Sequence, residues 1–253
     1  RTNSKPSRVL VNLKDGGSVM IDVFTPQNIT SSTPILFISH TCGGGTREPC
    51  TNYSASYFMK KNYIVVVASS RGCNGSEITS NRIYTGLDAE DLHEIILKIN
   101  EIYPNNNKRY LLGFSLGSCI SLEYVTIYDD VIGVVCVSHP IKMDKCVENL
   151  EKGINLKLYM NPLMNAIKHL SKKNKFYSEE NKKEIDKMIS IREFHRNYVM
   201  KELGLTKLED YYHSFDLDEK LNKIKRPTLL INAEDDHFTD VNYIPFKSLE
   251  QCQ

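Results

Sequence analysis

Tyr110-Leu111-Leu112-Gly113-Phe114-Ser115-Leu116-Gly117-Ser118 passes from a short run of strand formers straight into an apolar helical stretch that reaches Tyr128. Strand, Gly-x-Ser-x-Gly and helix in that order predict a sharp turn with the serine at its tip. The two glycines let the backbone reverse without a Cβ clash. Ser115 Oγ then stands above a sheet, and the backbone N–H groups that follow point toward a developing oxyanion. Phe114 supplies bulk rather than chemistry. A plain Gly/Ser-rich helix start has the same five residues in isolation, so the flanking strand and helix give the element its meaning.

Working outward, the same apolar, turn-bounded signature recurs at Pro34 to Ser39 (PILFIS), Tyr63 to Ser70 (YIVVVASS), Val131 to Ser138 (VIGVVCVS) and Thr228 to Asn232 (TLLIN). Strands buried on both faces read this way. Helical periodicity lies between them at Tyr53 to Lys61, at Asp88 to Ile102 with Leu92, Ile95, Ile96 and Ile99 on one side, and at Ser118 to Tyr128. Strand alternating with helix predicts an α/β fold with a mostly parallel sheet and helices on both faces. Arg8 to Leu13 and Ser18 to Phe24 flank Asp15-Gly16-Gly17 as an opening hairpin.

From Ile141 to Leu221 the pattern turns polar, Lys-rich and helical, too long for a bare loop inside a compact domain. The expected organisation is a core over residues 1–140, a helical cap inserted at 141–221, and the rest of the core at 222–253. Leu156, Leu158, Met160, Leu163 and Met164 are expected to form one apolar wall of the cap that selects the acyl chain of a substrate. Ser171 to Lys187 reads as a solvated charged face or a partly disordered piece.

The chain has 253 residues, 41% hydrophobic and 25% charged, with 32 Lys plus Arg against 31 Asp plus Glu. A formal charge of +1 supplies no field for nucleic acid or an anionic membrane, so a nucleic-acid partner is not expected. Its apolar runs fall far short of the roughly 20 residues that cross a bilayer. Seven scattered cysteines form no CxxC pair and no zinc spacing, so neither a disulfide framework nor a metal or other cofactor is expected. The first residue is Arg1 rather than Met, which suggests a fragment.

Two further elements follow strands. His40-Thr41-Cys42-Gly43-Gly44-Gly45-Thr46 brings main-chain amides close to a substrate, and the N–H groups of Cys42 and Leu116 are the candidate oxyanion donors. Asn232-Ala233-Glu234-Asp235-Asp236-His237 places a carboxylate after the last strand. Asp236 is the candidate acid that orients an activating histidine, with Asp235 in reserve. None of His40, His93, His139, His169, His195, His213 and His237 stands where the general base should come. His139 alone is a plausible substitute, and for each of the seven a structural role is favoured.

Taken together, Leu13-Lys14-Asp15-Gly16-Gly17, Ser70 to Gly75, Arg82-Ile83-Tyr84-Thr85-Gly86, Asp91-Leu92, Gly113 to Gly117 and Ile231 to Asp236 resemble the AB-hydrolase 4 family, which includes the animal α/β-hydrolase domain proteins 1, 2 and 3 and bacterial YheT-like esterases. Arg192-Glu193-Phe194 and Asp210-Tyr211-Tyr212 echo its cap. The resemblance implies an α/β-hydrolase fold and a serine hydrolase of carboxylic esters, lipid esters such as acylglycerols or phospholipids in the animal members. It places the nucleophile on Ser115 and the acid on Asp236, and it implies membrane association of the whole protein through an N-terminal anchor outside this soluble segment. The chain departs from the pattern at His195, where an Asp is usual, and at Cys42-Gly43-Gly44. It ends 17 residues after Asp236, so the final strand and the base are expected past Gln253 or absent. The rival reading is a non-catalytic lipid-binding or scaffold protein derived from a hydrolase without its base. Asn28-Ile29-Thr30, Asn52-Tyr53-Ser54 and Asn74-Gly75-Ser76 are glycosylation sequons, the last set in the Arg71-Gly72-Cys73 loop.

Overall fold

Four of the five continuous apolar runs become the interior of one sheet, and the fifth, at Thr228 to Ile231, becomes its edge with Leu229 and Ile231 exposed. A computed structural model describes residues 5–251. Among these, β1 (Ser7–Asn12), β2 (Ser18–Phe24), β3 (Ile35–Ser39), β4 (Ile64–Ala68), β5 (Arg109–Phe114), β6 (Gly133–Val137) and β7 (Thr228–Ile231) lie side by side in the order β1-β2-β4-β3-β5-β6-β7. The two hairpin strands are antiparallel, and every pair from β4 to β7 is parallel. This is the mostly parallel α/β sheet that the alternation of strand and helix predicted, in the α/β-hydrolase arrangement that the family resemblance implied. β3 and β4 are buried along their whole length, so every side chain on both faces must be apolar or small.

Helices supply the cover. α1 (Pro49–Lys60) places Ala55 against a cluster of Phe24, Leu36, Ile38, Val65, Val67 and Leu112. α2 (Ala89–Ile102) and α3 (Leu116–Ile127) pack on each other, and α3 packs on β5 and β6. Leu92, Ile95, Ile96 and Ile99 of α2 are all buried, as their spacing required. Each such side chain removed from water contributes about 1.5–3 kcal/mol.

The described residues form two compact units: 5–80, 86–139 and 224–231 make the first, which holds the sheet, and 81–85, 140–223 and 232–251 the second. The second begins with α4 (Met143–Leu150) and α5 (Gly153–Asn155), then a π-helical turn over Leu156–Met160 that runs into α6 (Asn161–Lys173). α7 (Glu179–Lys187) starts in a capping box between Ser178 and Asn181, so of the two readings of the charged stretch the largely exposed helical face is the one that forms. The proposed apolar wall does not form as one face. Met160 and Met164 are buried inside the unit and the Ile191 N–H donates to Met160 Sδ (3.4 Å), whereas Leu158 is 55% exposed. The inner face of α6 follows helical spacing through Met164, Ile167 and Ser171, and Leu158 falls off it. His195 is buried beside Tyr211 and Tyr212, and burial together with nearby Arg192 pushes its pKa down to about 3. No described helix is long and apolar enough to cross a membrane.

Polar side chains tie the first unit together. Arg71 reaches Asp91 through two bonds (2.7 and 2.8 Å) and Asp15 through two more (2.7 and 3.2 Å). Asp22 accepts from Arg8 Nε (2.9 Å), Thr46 Oγ1 (2.5 Å) and Asn74 Nδ2 (3.0 Å). Asn74, the sequon asparagine, also donates to Ser69 Oγ and accepts from the Thr46 N–H (3.1 Å), which occupies the amide a glycan would need.

Burial alone would raise the Asp22 pKa, but the bonds from Arg8, Thr46 and Asn74 outweigh it and hold the carboxyl below its ordinary value. A depressed folded pKa stabilises fully above the unfolded value, about 3.9, and the contribution fades as pH falls through the folded one. Asp22→Asn should therefore cost roughly 1–3 kcal/mol at pH 7. It should also lose less stability than wild type between pH 5 and pH 2. Urea midpoints measured across that range check both statements, and parallel curves for the two proteins would contradict them.

Candidate active site

The strand order places a crevice before any side chain is considered. β3 leads through α1 to β4 on one side, while β5 leads through α3 to β6 on the other, so the loops leaving β3 and β5 diverge. In open α/β sheets ligands bind outside the carboxyl ends of strands at such a switch point. Here those ends carry His40 to Thr46 and Ser115.

Ser115 is the tip of the turn. Its backbone sits at φ 50°, ψ −119°, a left-handed conformation that disfavours side chains. Surrounding bonds enforce it: the Ser115 N–H donates to Val137 O (2.9 Å), while Ser115 O accepts from the Ser118 N–H (2.9 Å) and from Ser118 Oγ (2.5 Å). Both glycines stand where a Cβ would clash, as the sharp turn requires. A Cβ on Gly113 would collide with Ser118 Cα and the Gly117 carbonyl, and one on Gly117 with the carbonyls of Ser39 and His40. They permit close approach of backbones, and the serine itself adopts the strained turn.

The loop after β3 is held at both ends. At its start, Glu48 accepts from the Thr41 N–H (3.3 Å) and from the Thr41 hydroxyl, and also from Thr51 Oγ1 (3.3 Å). The Gly44 N–H donates to Thr41 O (3.1 Å). At its end Thr46 is tied to Asn74 and Asp22. Cys42, the candidate oxyanion donor, lies half-buried between these anchors, and Leu116 opens α3, where N–H groups lack intrahelical partners. Glu48, Thr41 and Ser118 were not singled out by the sequence; the signal available was Glu48 directly before the proline that starts α1.

Two of the three histidines of this unit, His40 and His139, are buried in it, and His93 is half-buried. His40 Nε2 accepts from the Ser70 N–H (3.1 Å), so its proton sits on Nδ1 and donates to Thr41 O (2.7 Å). Burial pushes its pKa down. His93 stacks on Tyr128 with ring centroids 4.0 Å apart. His139, the plausible substitute base, is fully buried with Nδ1 on Ser118 Oγ (2.8 Å) rather than on Ser115 Oγ.

Asp236 belongs to the second unit. Its Oδ1 accepts from the Phe238 N–H (2.8 Å) and the Thr239 N–H (3.2 Å), which fixes one carboxylate oxygen and orients the other. Asp235 is exposed. Of the two candidates, Asp236 thus has the built environment. Segment 232–251, assigned from sequence to the core, groups with the second unit because Cys146, Asn149 and Asn155 contact it. Among the described residues no cluster could hold a metal ion.

Residues 34–246 match the family model described as alpha/beta hydrolase fold. An abhydrolase domain-containing protein of Dictyostelium discoideum is 29% identical, with 99% of this chain aligned to 66% of that protein. Phospholipase ABHD3 of Mus musculus is 25% identical over 96% of this chain and 61% of its own length. The chain thus spans just under two thirds of these curated relatives. The structure of an esterase of Pyrococcus furiosus, Pf2001, superposes with a TM-score of 0.65 at 15% identity, over 98% of this chain and 79% of that one, a likeness of fold.

Gly117→Ala puts a methyl group into two backbone carbonyls that have no rotamer to escape by. It should destabilise the protein by about 1–3 kcal/mol and displace the turn. Thermal unfolding and a crystal structure of the variant test this, and an unchanged midpoint would show that the contact is slack.

Proposed function

The chain belongs to the alpha/beta hydrolase fold family, and from that premise we propose that it is a serine hydrolase of carboxylic esters, working on lipid esters of the acylglycerol or phospholipid kind. The observation that carries the reading is Ser115, a serine held at φ 50° at the switch point of the sheet. Strain of this kind costs about 1–3 kcal/mol and persists where the surrounding structure over-determines it.

In the proposed reaction an imidazole acting as general base takes the proton from Ser115 Oγ as the oxygen attacks the ester carbonyl. The N–H groups of Cys42 and Leu116 receive the oxyanion, and Asp236 orients and stabilises the imidazole. Collapse of the tetrahedral intermediate expels the alcohol, and water then releases the acid from the acyl-enzyme. The lipid part of the proposal rests on the names of relatives such as the phospholipase of Mus musculus and a monoacylglycerol lipase of Saccharomyces cerevisiae. Work at a membrane rests on the family resemblance.

A fluorophosphonate probe should label the protein, and Ser115→Ala should abolish both the label and ester turnover, the latter by roughly 10⁴-fold or more. Equal labelling of the alanine variant would remove Ser115 from the mechanism. A wild-type protein that takes no label would favour the lipid-binding or scaffold reading.

A further inference from the structure

The loop that carries Asp236 does not stand alone. Within the second unit, Asn149 at the end of α4 donates from Nδ2 to Phe238 O (3.1 Å). Asn155 at the end of α5 donates from Nδ2 to His237 O (3.4 Å) and to Asn149 O (3.1 Å), linking the two helices to the loop and to each other. Thr239 Oγ1 meets Cys146 Sγ at 3.4 Å with both residues buried. Phe238 packs edge-on against Tyr159 with ring centroids 4.8 Å apart, and Tyr159 sits on the π-helical turn. Three consecutive loop residues are therefore each held by the first helices of the cap.

Given the reading of Asp236 as the acid, we propose that Asn149 is a positioning residue that sets the acid loop, with Asn155 in support. The reasoning is geometric. Asp236 Oδ1 is tied to the amides of Phe238 and Thr239, so the direction of Oδ2 follows wherever those residues are placed. Asn149 and Asn155 place them by holding the carbonyls of Phe238 and His237. A carboxylate that steadies an imidazole acts through orientation, and a displacement of about 1 Å can cost about 10²-fold in rate. The cap is thereby part of the catalytic machinery, in place of the expected division in which it only selects an acyl chain.

The test uses Asn149→Ala, Asn149→Asp and Asn149→Gln with p-nitrophenyl acetate, an ester too small to report on acyl-chain selection. Asn149→Ala should lower kcat by about 10- to 100-fold with KM little changed. The acid limb of kcat/KM should move to lower pH, because an imidazole that loses its carboxylate partner ionises at lower pH. Asn149→Asp has no donor for the Phe238 carbonyl and should be no better, while Asn149→Gln keeps the donor and should recover part of the rate. Hydrogen exchange should show faster exchange at the Phe238 and Thr239 amides in the first two variants. A wild type that labels and turns over ester, with Asn149→Ala unchanged in kcat, pH limb and exchange, overturns the positioning role and leaves the hydrolase reading standing. A wild type that neither labels nor hydrolyses overturns both.

Discussion

Gly117 rests its α-carbon against the carbonyls of Ser39 and His40, and Gly113 rests against the first turn of α3, with no volume for a methyl group at either place. These contacts hold the end of β5 and the start of α3 against the end of β3. The two strands whose following helices diverge are thus locked to each other at the level of the backbone. The turn at Ser115, the departure of the loop after β3 and the crevice between them all follow from how closely those chains approach.

Buried and half-buried polar groups complete what close packing begins. A glycine-rich loop has many accessible conformations, and three consecutive glycines cannot specify one. Glu48 on Thr41, His40 on the Thr41 carbonyl, and Asn74 with Asp22 on Thr46 remove that freedom from outside the glycines. Each is a side chain whose desolvation costs free energy unless its bonds are made. The loop conformation in which all are satisfied is therefore strongly preferred over any other.

The sheet was legible because its two central strands β3 and β4 are buried on both faces: VVV at Val65 to Val67 and LFI at Leu36 to Ile38 have no polar residue to blur the signal. Ser115 was legible because a strand, a turn with two glycines and a helix leave a pattern in consecutive residues. The cap was not legible in the same detail. Its helices are short and interrupted by π turns at Leu156–Met160 and His195–Val199, so spacing rules assigned Leu158 to a face it does not occupy. The support of Asp236 left no trace at all, since Asn149 and Phe238 are far apart in sequence and meet through one side-chain amide and one carbonyl. Contacts of that kind carry no period.

The conformation of Ser115 bears on the stability of the fold. Glycine reaches φ 50°, ψ −119° without steric cost, so replacing this serine by glycine would relieve strain and leave the packing around it intact. Position 115 is therefore one where fold stability and the hydroxyl pull in opposite directions. A serine kept here holds strain that a glycine would release, so the hydroxyl is present at the expense of some stability of the fold.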